Sequence, residues 1–564
     1  MDVPDARSSR GEGVREVRHP GGASERFSGT EHKEDRDKHR RPGRLLAVFK
    51  GLVLLALLAA TAYGMLDAGL YRDELWLPVA AGVLALLFVT LLVRGFYWDL
   101  PSVGILLVGL LAALVAVKGL SMVWTISETE TIKETLRSSM YLAAFLMALA
   151  ALTSGRQVGS LIDASVFMVA AVAGYGLLQK ISPIEYPVRS LDGVRMDSTL
   201  QYSNTTAVIL AMGVVLALAR MGTLHSFVLR GLYAAVTLAL FIALYLTVSR
   251  GGIGSLGIGL IVLFAITSGR LRMFADLLLL SLPGAWLWWQ MQSLPGLLGT
   301  DVSPQQKIAD GTLFRNDLIL ALIVAFVLQA AYTILMNRYD LSPVLSRRLG
   351  ILVVAGGVLL VTLGAFLVVD RYGGPGQAYS TLLGSANETG NAGQRLASLD
   401  ISSRGDYWRV AWEAWKERPL TGTGAGTFQY TWLEDRPGLK GVKQVHNVYL
   451  EQGTETGLFA FLALLGFVAV LVGYTGRAVW RAVSQGERRL LLAGLGSALM
   501  VYLISSAFEW HWYLPASTLF FFILAAVAVK FASREDWGAA EAPPAFSEAD
   551  VGASGADPPT QQPR

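Results

Sequence analysis

The chain of 564 residues contains no cysteine. That excludes a disulfide framework and any thiolate metal site. Charge is scarce as well. Asp, Glu, Lys and Arg make up 16% of the residues, against about 25% in a soluble globular domain. Many apolar faces therefore do not meet water. A net charge of +4 is too small to point to nucleic acid. Histidine is rare, with six in the chain, and none stands in H-x-x-H or H-E-x-x-H spacing. No metal site is expected on that pattern. There is also no visible internal repeat, which weighs against a transporter assembled from matching halves.

What the sequence does have is apolar runs. A membrane-crossing helix needs about 20 mostly apolar residues. Runs of that kind recur near 45–66, 75–93, 101–120, 137–154, 159–181, 204–222, 229–248, 251–268, 272–290, 317–336, 348–369, 455–475, 490–508 and 513–532. Helices close their own backbone hydrogen bonds and are the spanning form expected here. The predicted fold class is an all-α integral membrane protein, a polytopic bundle of about 12–14 transmembrane helices. The expected organisation is a disordered cytoplasmic tail at 1–44, helices 1–11 in 45–370, a large extracytoplasmic loop at 371–454, helices 12–14 in 455–532 and a second disordered tail at 533–564. Both tails are polar and lack apolar periodicity. The first is too polar to be read as a signal peptide.

Arg156, Arg220, Arg230, Arg270, Arg338 and Arg477 fall in short connections on the side of the tails, which the positive-inside rule makes cytoplasmic. The loop at 371–454 then faces outward, and long loops are commonly functional. Residues 371–400 are rich in Gly, Ser, Asn and Gln. Beyond them, Trp408, Val410, Ala411, Ala414 and Trp415 recur at helical spacing, so 405–417 reads as an amphipathic helix stopped by Pro419. Glycines at 422, 424 and 426 follow. No strand precedes them and no Lys-Ser/Thr comes after, so they read as a turn and not as a phosphate loop.

A few outward-facing polar residues stand at the edge of the oil. Arg195 precedes a span, Arg250 separates two spans with almost no loop, Arg404 opens the amphipathic helix, and His446-Asn447 precedes a span with Glu451 and Glu455 in its first turns. Charge at membrane depth is costly and is a functional candidate by default. Arginine suits bidentate binding of phosphate oxygens, and histidine is the usual base near neutral pH. The plainer readings are interface anchoring for the arginines, helix capping for Asn447 and helix-surface pairing for the glutamates. His511, between two tryptophans, reads as part of an aromatic belt. Lys118 and Asp276 lie within or near spans with no evident mate.

Four segments together resemble the O-antigen ligase and O-antigen polymerase superfamily: RMDSTLQYSNTTAVIL (195–210), TVSRGGIGSLGIGL (247–260), SSRGDYWRVAWEAWKERPLTGTGAGTF (402–428) and HNVYLEQGTETGLFAFLALLGF (446–467). The family's Asn-Pro-Asn is Tyr-Ser-Asn at 202–204 in this chain. The resemblance implies a GT-C-like bundle in the bacterial inner membrane with an extracytoplasmic active site. It implies a glycosyltransferase that moves a glycan from a polyprenyl (undecaprenyl) diphosphate carrier to a hydroxyl of a lipid, a glycan or a protein. No cofactor and no metal are implied, and the expected partners are that donor, the acceptor and membrane lipids. On this reading His446 is the catalytic base and Arg195, Arg250 and Arg404 bind the diphosphate. Asn447, Glu451 and Glu455 are candidates for orienting the base or binding sugar hydroxyls. The competing expectation is a polytopic transporter of a small anion or solute, which gives the structured outer loop no role.

The topology is directly testable because every introduced cysteine is unique. A cysteine at Ser385 should react with a membrane-impermeant thiol reagent in intact cells, and one at Ser9 should not. The opposite labelling would invert the assignment of every site residue to a membrane face.

Overall fold

The computed structural model describes residues 43–93, 98–189, 193–267, 269–338, 404–482 and 484–538, with scattered positions between 348 and 377. The stretch 371–400, most of the expected span at 348–369 and nearly all of both expected tails lie outside the described residues. The chain divides into two compact units, 1–47 and 48–564. Only residues 43–47 of the first are described, as the start of a helix, and the packing and site below belong to the second.

Every regular element among the described residues is helical: α1 (Arg44–Leu66), α2 (Asp73–Leu92), α3 (Ser102–Leu120), α4 (Glu128–Ala151), α5 (Gly155–Ile181), α6 (Ser203–Met221), α7 (Phe227–Leu246), α8 (Arg250–Ile266), α9 (Arg270–Met291), α10 (Pro304–Met336), α11 (Arg404–Glu417), α12 (Phe428–Asp435), α13 (Val448–Arg481), α14 (Gly486–Ser505) and α15 (Pro515–Ser533). Eleven of these are long and apolar enough to cross a membrane. The protein is an integral membrane protein with a polytopic helical fold. Two further predicted spans appear as α4 and α8. The first half of α4 carries Glu128, Glu130, Lys133, Glu134 and Arg137, which lowers its hydropathy, and α8 is short.

Capping explains several starts. Ser226, Ser249, Ser303 and Asn447 each accept a backbone N–H from the first turn of the helix they precede. Helices α6 and α15 form the interior, with 89% and 94% of their spanning windows buried. Helix α6 packs against α5, α7, α8 and α14, and α15 against α4, α13 and α14. Small residues permit this. A Cβ on Gly252 of α8 would stand 2.4 Å from Ala207 of α6, and one on Gly494 of α14 would stand 2.3 Å from Ala219. Close backbone approach of this kind is the usual basis of helix packing in lipid.

Interior charges are paired. Arg230, expected in a connecting loop, lies in α7 and donates to Asp276 of α9 at 2.6 Å, and Gln329 of α10 donates to the same oxygen at 2.7 Å. Asp276 therefore has two mates. Arg220 makes a bidentate pair with Asp163 at 2.7 and 3.0 Å. Lys118 stands 3.9 Å from Glu134.

The predicted amphipathic helix is α11, and the glycines after it have a steric purpose. Helix α13 starts earlier than expected, at Val448, and breaks at Gly457, whose φ of 72° and ψ of −170° are open only to glycine. The segment 419–424 docks into the break. Leu458 N donates to Pro419 O at 2.9 Å, Gly424 N to Glu455 O at 2.7 Å and Thr423 N to Thr454 O at 3.2 Å. A Cβ on Gly457 would stand 2.1 Å from the Leu420 carbonyl oxygen, and one on Gly422 would stand 2.4 Å from the Glu455 backbone. Gly457→Ala should therefore lower the melting temperature in detergent, since the backbone strain alone is worth about 1–3 kcal/mol. Gly473→Ala, farther along α13 with nothing within 4 Å of the added Cβ, should not.

Candidate functional site

Four helices begin at the same place. The N-terminal ends of α6, α11 and α13 meet the connection 506–513 between α14 and α15, and that of α8 joins them through Ser249 and Asn204. Three of the approaches share a strained residue. Gln201 (φ 57°), Val248 (φ 51°) and His446 (φ 58°) all take left-handed backbone two positions before α6, α8 and α13 begin. A β-branched residue such as Val248 is a true outlier there. Strain of this kind gathers at functional sites, where the surrounding structure holds it in place.

Glu509 is the hub. Its carboxylate is buried, with 3% of the residue exposed. Oε1 accepts from the Arg404 guanidinium and from Asn204 Nδ2 at 2.7 Å, and Oε2 accepts from the Tyr202 hydroxyl at 2.7 Å. His446 Nδ1 lies 3.6 Å from Oε2, which is beyond hydrogen-bond length and makes the contact electrostatic. Trp510 Nε1 donates to the Tyr202 hydroxyl at 3.0 Å. The Trp510 ring centroid lies 6.2 Å from that of His446, and the Tyr407 ring lies 5.4 Å away.

Asn204 joins this hub to the remaining arginines. Its Oδ1 accepts from Arg195 Nη2 at 2.5 Å and from Ser249 Oγ at 3.0 Å. Arg195 also donates from Nε to the Thr247 carbonyl at 2.9 Å. Arg250 follows Ser249 as the first residue of α8 and is partly buried. Arg404 donates from Nε to the Phe508 carbonyl at 2.7 Å. Arg195, Arg404 and His446 thus share one constellation, with the backbone of Arg250 beside it.

The other candidates fall elsewhere. Asn447 caps α13, accepting from Leu450 N at 3.1 Å. Glu455 holds the glycine turn, since its two carboxylate oxygens accept from Gly426 N at 2.8 Å and Phe428 N at 3.1 Å. Glu451 accepts from Val445 N at 3.4 Å, on the residue before His446. His511 is not an interface residue. It is fully buried, bonded to Thr205 Oγ1 at 3.0 Å and Ser505 Oγ at 2.7 Å.

Electrostatics set the protonation states. Burial lowers the His446 imidazole below its ordinary 6.5, with Glu509 opposing that shift, so the ring is neutral at neutral pH. Burial also lowers His511, to about 4. Burial alone would raise Glu509, but the Arg404 guanidinium and the two histidines hold it well below the usual carboxylate range.

Glu509 and Tyr202 were not singled out from the sequence. A lone carboxylate between aromatic residues at the edge of a span was the available signal. The stability that Glu509 contributes is present above its ordinary pKa of 4.5 and is lost only as pH falls toward its much lower folded value. Glu509→Gln should lower the melting temperature in detergent at pH 7, because it removes one charge of the buried Arg404–Glu509 pair, a loss of about 3 kcal/mol. The gap to wild type should persist at pH 5.

No curated protein matches the chain. Residues 315–465 match the family model described as O-Antigen ligase. The match takes in Arg404 and His446 and leaves out Arg195, Arg250 and Glu509. The resemblance carried by the sequence motifs is thereby supported from a second direction: the protein is an integral membrane protein, and its segment 315–465 is similar to the O-antigen ligase family.

Proposed function

We propose that the protein transfers a glycan from a polyprenyl diphosphate to an acceptor hydroxyl at the outer face of a bacterial inner membrane. The tails 1–44 and 533–564 then lie in the cytoplasm, and residues 371–454 form the outer loop. The observation that supports this reading is the gathering of Arg195, Arg404 and His446 at the convergence of four helix N-termini, with Arg250 the first residue of α8. Each N-terminus adds the positive end of a helix dipole and N–H groups that favour an anion. A diphosphate at a membrane surface is an anion that such a site suits.

The chemistry follows from the parts. The acceptor oxygen forms a bond to the anomeric carbon while the carbon–oxygen bond to the diphosphate breaks. The bonding pair leaves on the diphosphate, where Arg195, Arg250 and Arg404 stabilise the developing charge. The acceptor proton passes to His446, which is neutral and able to take it. Glu509, 3.6 Å from the ring, stabilises the imidazolium as it forms. Asn447 fixes the start of α13 and hence the backbone beside the base.

His446→Ala should lose about 100- to 10,000-fold in turnover and keep binding of the lipid-linked donor. Arg250→Ala should lose about 100- to 1000-fold. Wild-type transfer should decline on the acid side, below the ordinary histidine pKa of 6.5, since the imidazole is shifted downward. The paired measurement is donor binding and glycan transfer by purified protein with a lipid-linked oligosaccharide. Unchanged transfer in His446→Ala would remove the base from the mechanism, and product mass identifies the acceptor class.

A further inference from the structure

A recess of about 180 Å³ lies at the far end of α13. Helix α13 runs from the His446 site to Arg481, α14 begins at Gly486, and α15 ends at Ser533. The recess and the candidate site therefore occupy opposite ends of the same helices. Tyr474, Arg477 and Arg481 line the recess from one face of α13, at spacings of three and four. Arg488 of α14 and Glu535, just beyond α15, close its other side. Gln485 lines it too and precedes α14, whose first turn has no side-chain cap. Three arginines thus face one carboxylate.

Several arginines at this end of the bundle are taken by other groups. Arg220 pairs with Asp163 and Arg230 with Asp276. Arg270 and Arg489 donate to the last carbonyls of α8, at Phe264, Ala265 and Ile266. Arg488 is buried and does the same for α15. It donates to Phe531 O at 2.6 Å and to Arg534 O, with the Phe531 ring 4.8 Å away. Arg477 and Arg481 differ. Both are exposed, and among the described residues no carboxylate or carbonyl holds either of them.

A solvated cation that only sets orientation needs no recess and no neighbour of its own sign. Here two guanidiniums one helical turn apart stand against a third that cannot move away, because it caps a helix. Like charges held this way repel one another unless an anion lies between them. Guanidinium forks suit phosphate oxygens. Tyr474 supplies a hydroxyl, and the start of α14 adds N–H groups that favour an anion. Trp480, beside Arg481 and 77% exposed, is the kind of residue that sits at headgroup level.

We propose that this recess binds the phosphate of an anionic lipid headgroup, held by Arg477 and Arg481 against the fixed Arg488. Basic pockets between spans commonly take such headgroups. Free phosphate shares the chemistry but has no chains to lie along the lipid-facing helices. The site stands apart from glycan transfer and does not depend on it.

The test is native mass spectrometry of the delipidated full-length chain in detergent, titrated with phosphatidylglycerol or phosphatidylcholine. One phosphatidylglycerol should bind ahead of all other lipid, and phosphatidylcholine should show no such first site. Excess inorganic phosphate alone should leave the melting temperature unchanged. Arg477→Gln and Arg481→Gln should each weaken the first binding about five- to tenfold. Both should keep the wild-type melting temperature, since both side chains are exposed, and either decides the matter if the other melts early. Arg338→Gln removes the same charge from an exposed position after α10, at the same end but outside the recess, and should change binding less than twofold. Equal binding of the two lipids, an equal loss in Arg338→Gln, or affinities within twofold of wild type in the recess variants would overturn the site. A melting shift with inorganic phosphate and no preference for phosphatidylglycerol would overturn the lipid as its source.

Discussion

A single buried carboxylate holds the constellation together. Glu509 sits on a connection between two spans, where an unpaired charge would cost several kcal/mol. It is retained because three donors from two other places reach it: Tyr202 and Asn204 at the head of α6, and Arg404 at the head of α11. Each contact fixes one helix start relative to the α14–α15 connection. The remaining starts follow at one remove. Asn204 holds the Ser249 cap of α8, and Val448 N donates to Ser506 O at 2.9 Å, which seats α13. Oriented helix ends and a shared carboxylate are therefore one arrangement.

The rest of the bundle treats charge differently. Arg230 and Asp276, and Arg220 and Asp163, are matched one to one across packed helices. In lipid such pairs satisfy groups that have no water. At the site Arg195 donates to the Asn204 amide oxygen and to the Thr247 carbonyl, which tie it to the head of α6 and to the approach to α8. Strained backbone at Gln201, Val248 and His446 marks the same place, where packing holds conformations that the isolated segments would not choose.

Much of this was legible in the sequence because lipid imposes simple rules. Apolar runs gave the helices, and the Trp-Val-Ala-Ala-Trp spacing gave α11 with its boundary nearly right. Arg195, Arg404 and His446 were visible as polar residues at span edges. The hub was not, because Glu509 gains its meaning from Tyr202 and Asn204, about three hundred positions away, and no local period records that contact. The glutamates after His446 show the reverse. Glu455 read as helix-surface or sugar-binding, yet both of its oxygens hold backbone N–H groups of a turn that the sequence showed only as scattered glycines. His511 between tryptophans looked interfacial, but its hydroxyl partners on α6 and α14 draw it fully inside.

The position of His446 at the edge of the apolar region now has a physical account. Burial disfavours the charged imidazole and keeps it neutral, which a base requires. Burial alone would also make it a poor base, because the imidazolium it must become would be unstable. In the proposed transfer, Glu509 at 3.6 Å offsets that cost when the proton arrives. The distance matters. A direct hydrogen bond would favour the charged form before reaction, whereas a longer electrostatic contact leaves the resting ring neutral. Arg404 tempers the same carboxylate from the other side, so the field at the histidine is the residue of an opposed pair. The backbone at His446 is left-handed and stands between the Asn447 cap on one side and the Val445–Glu451 contact on the other, so the ring is carried on a segment held at both ends.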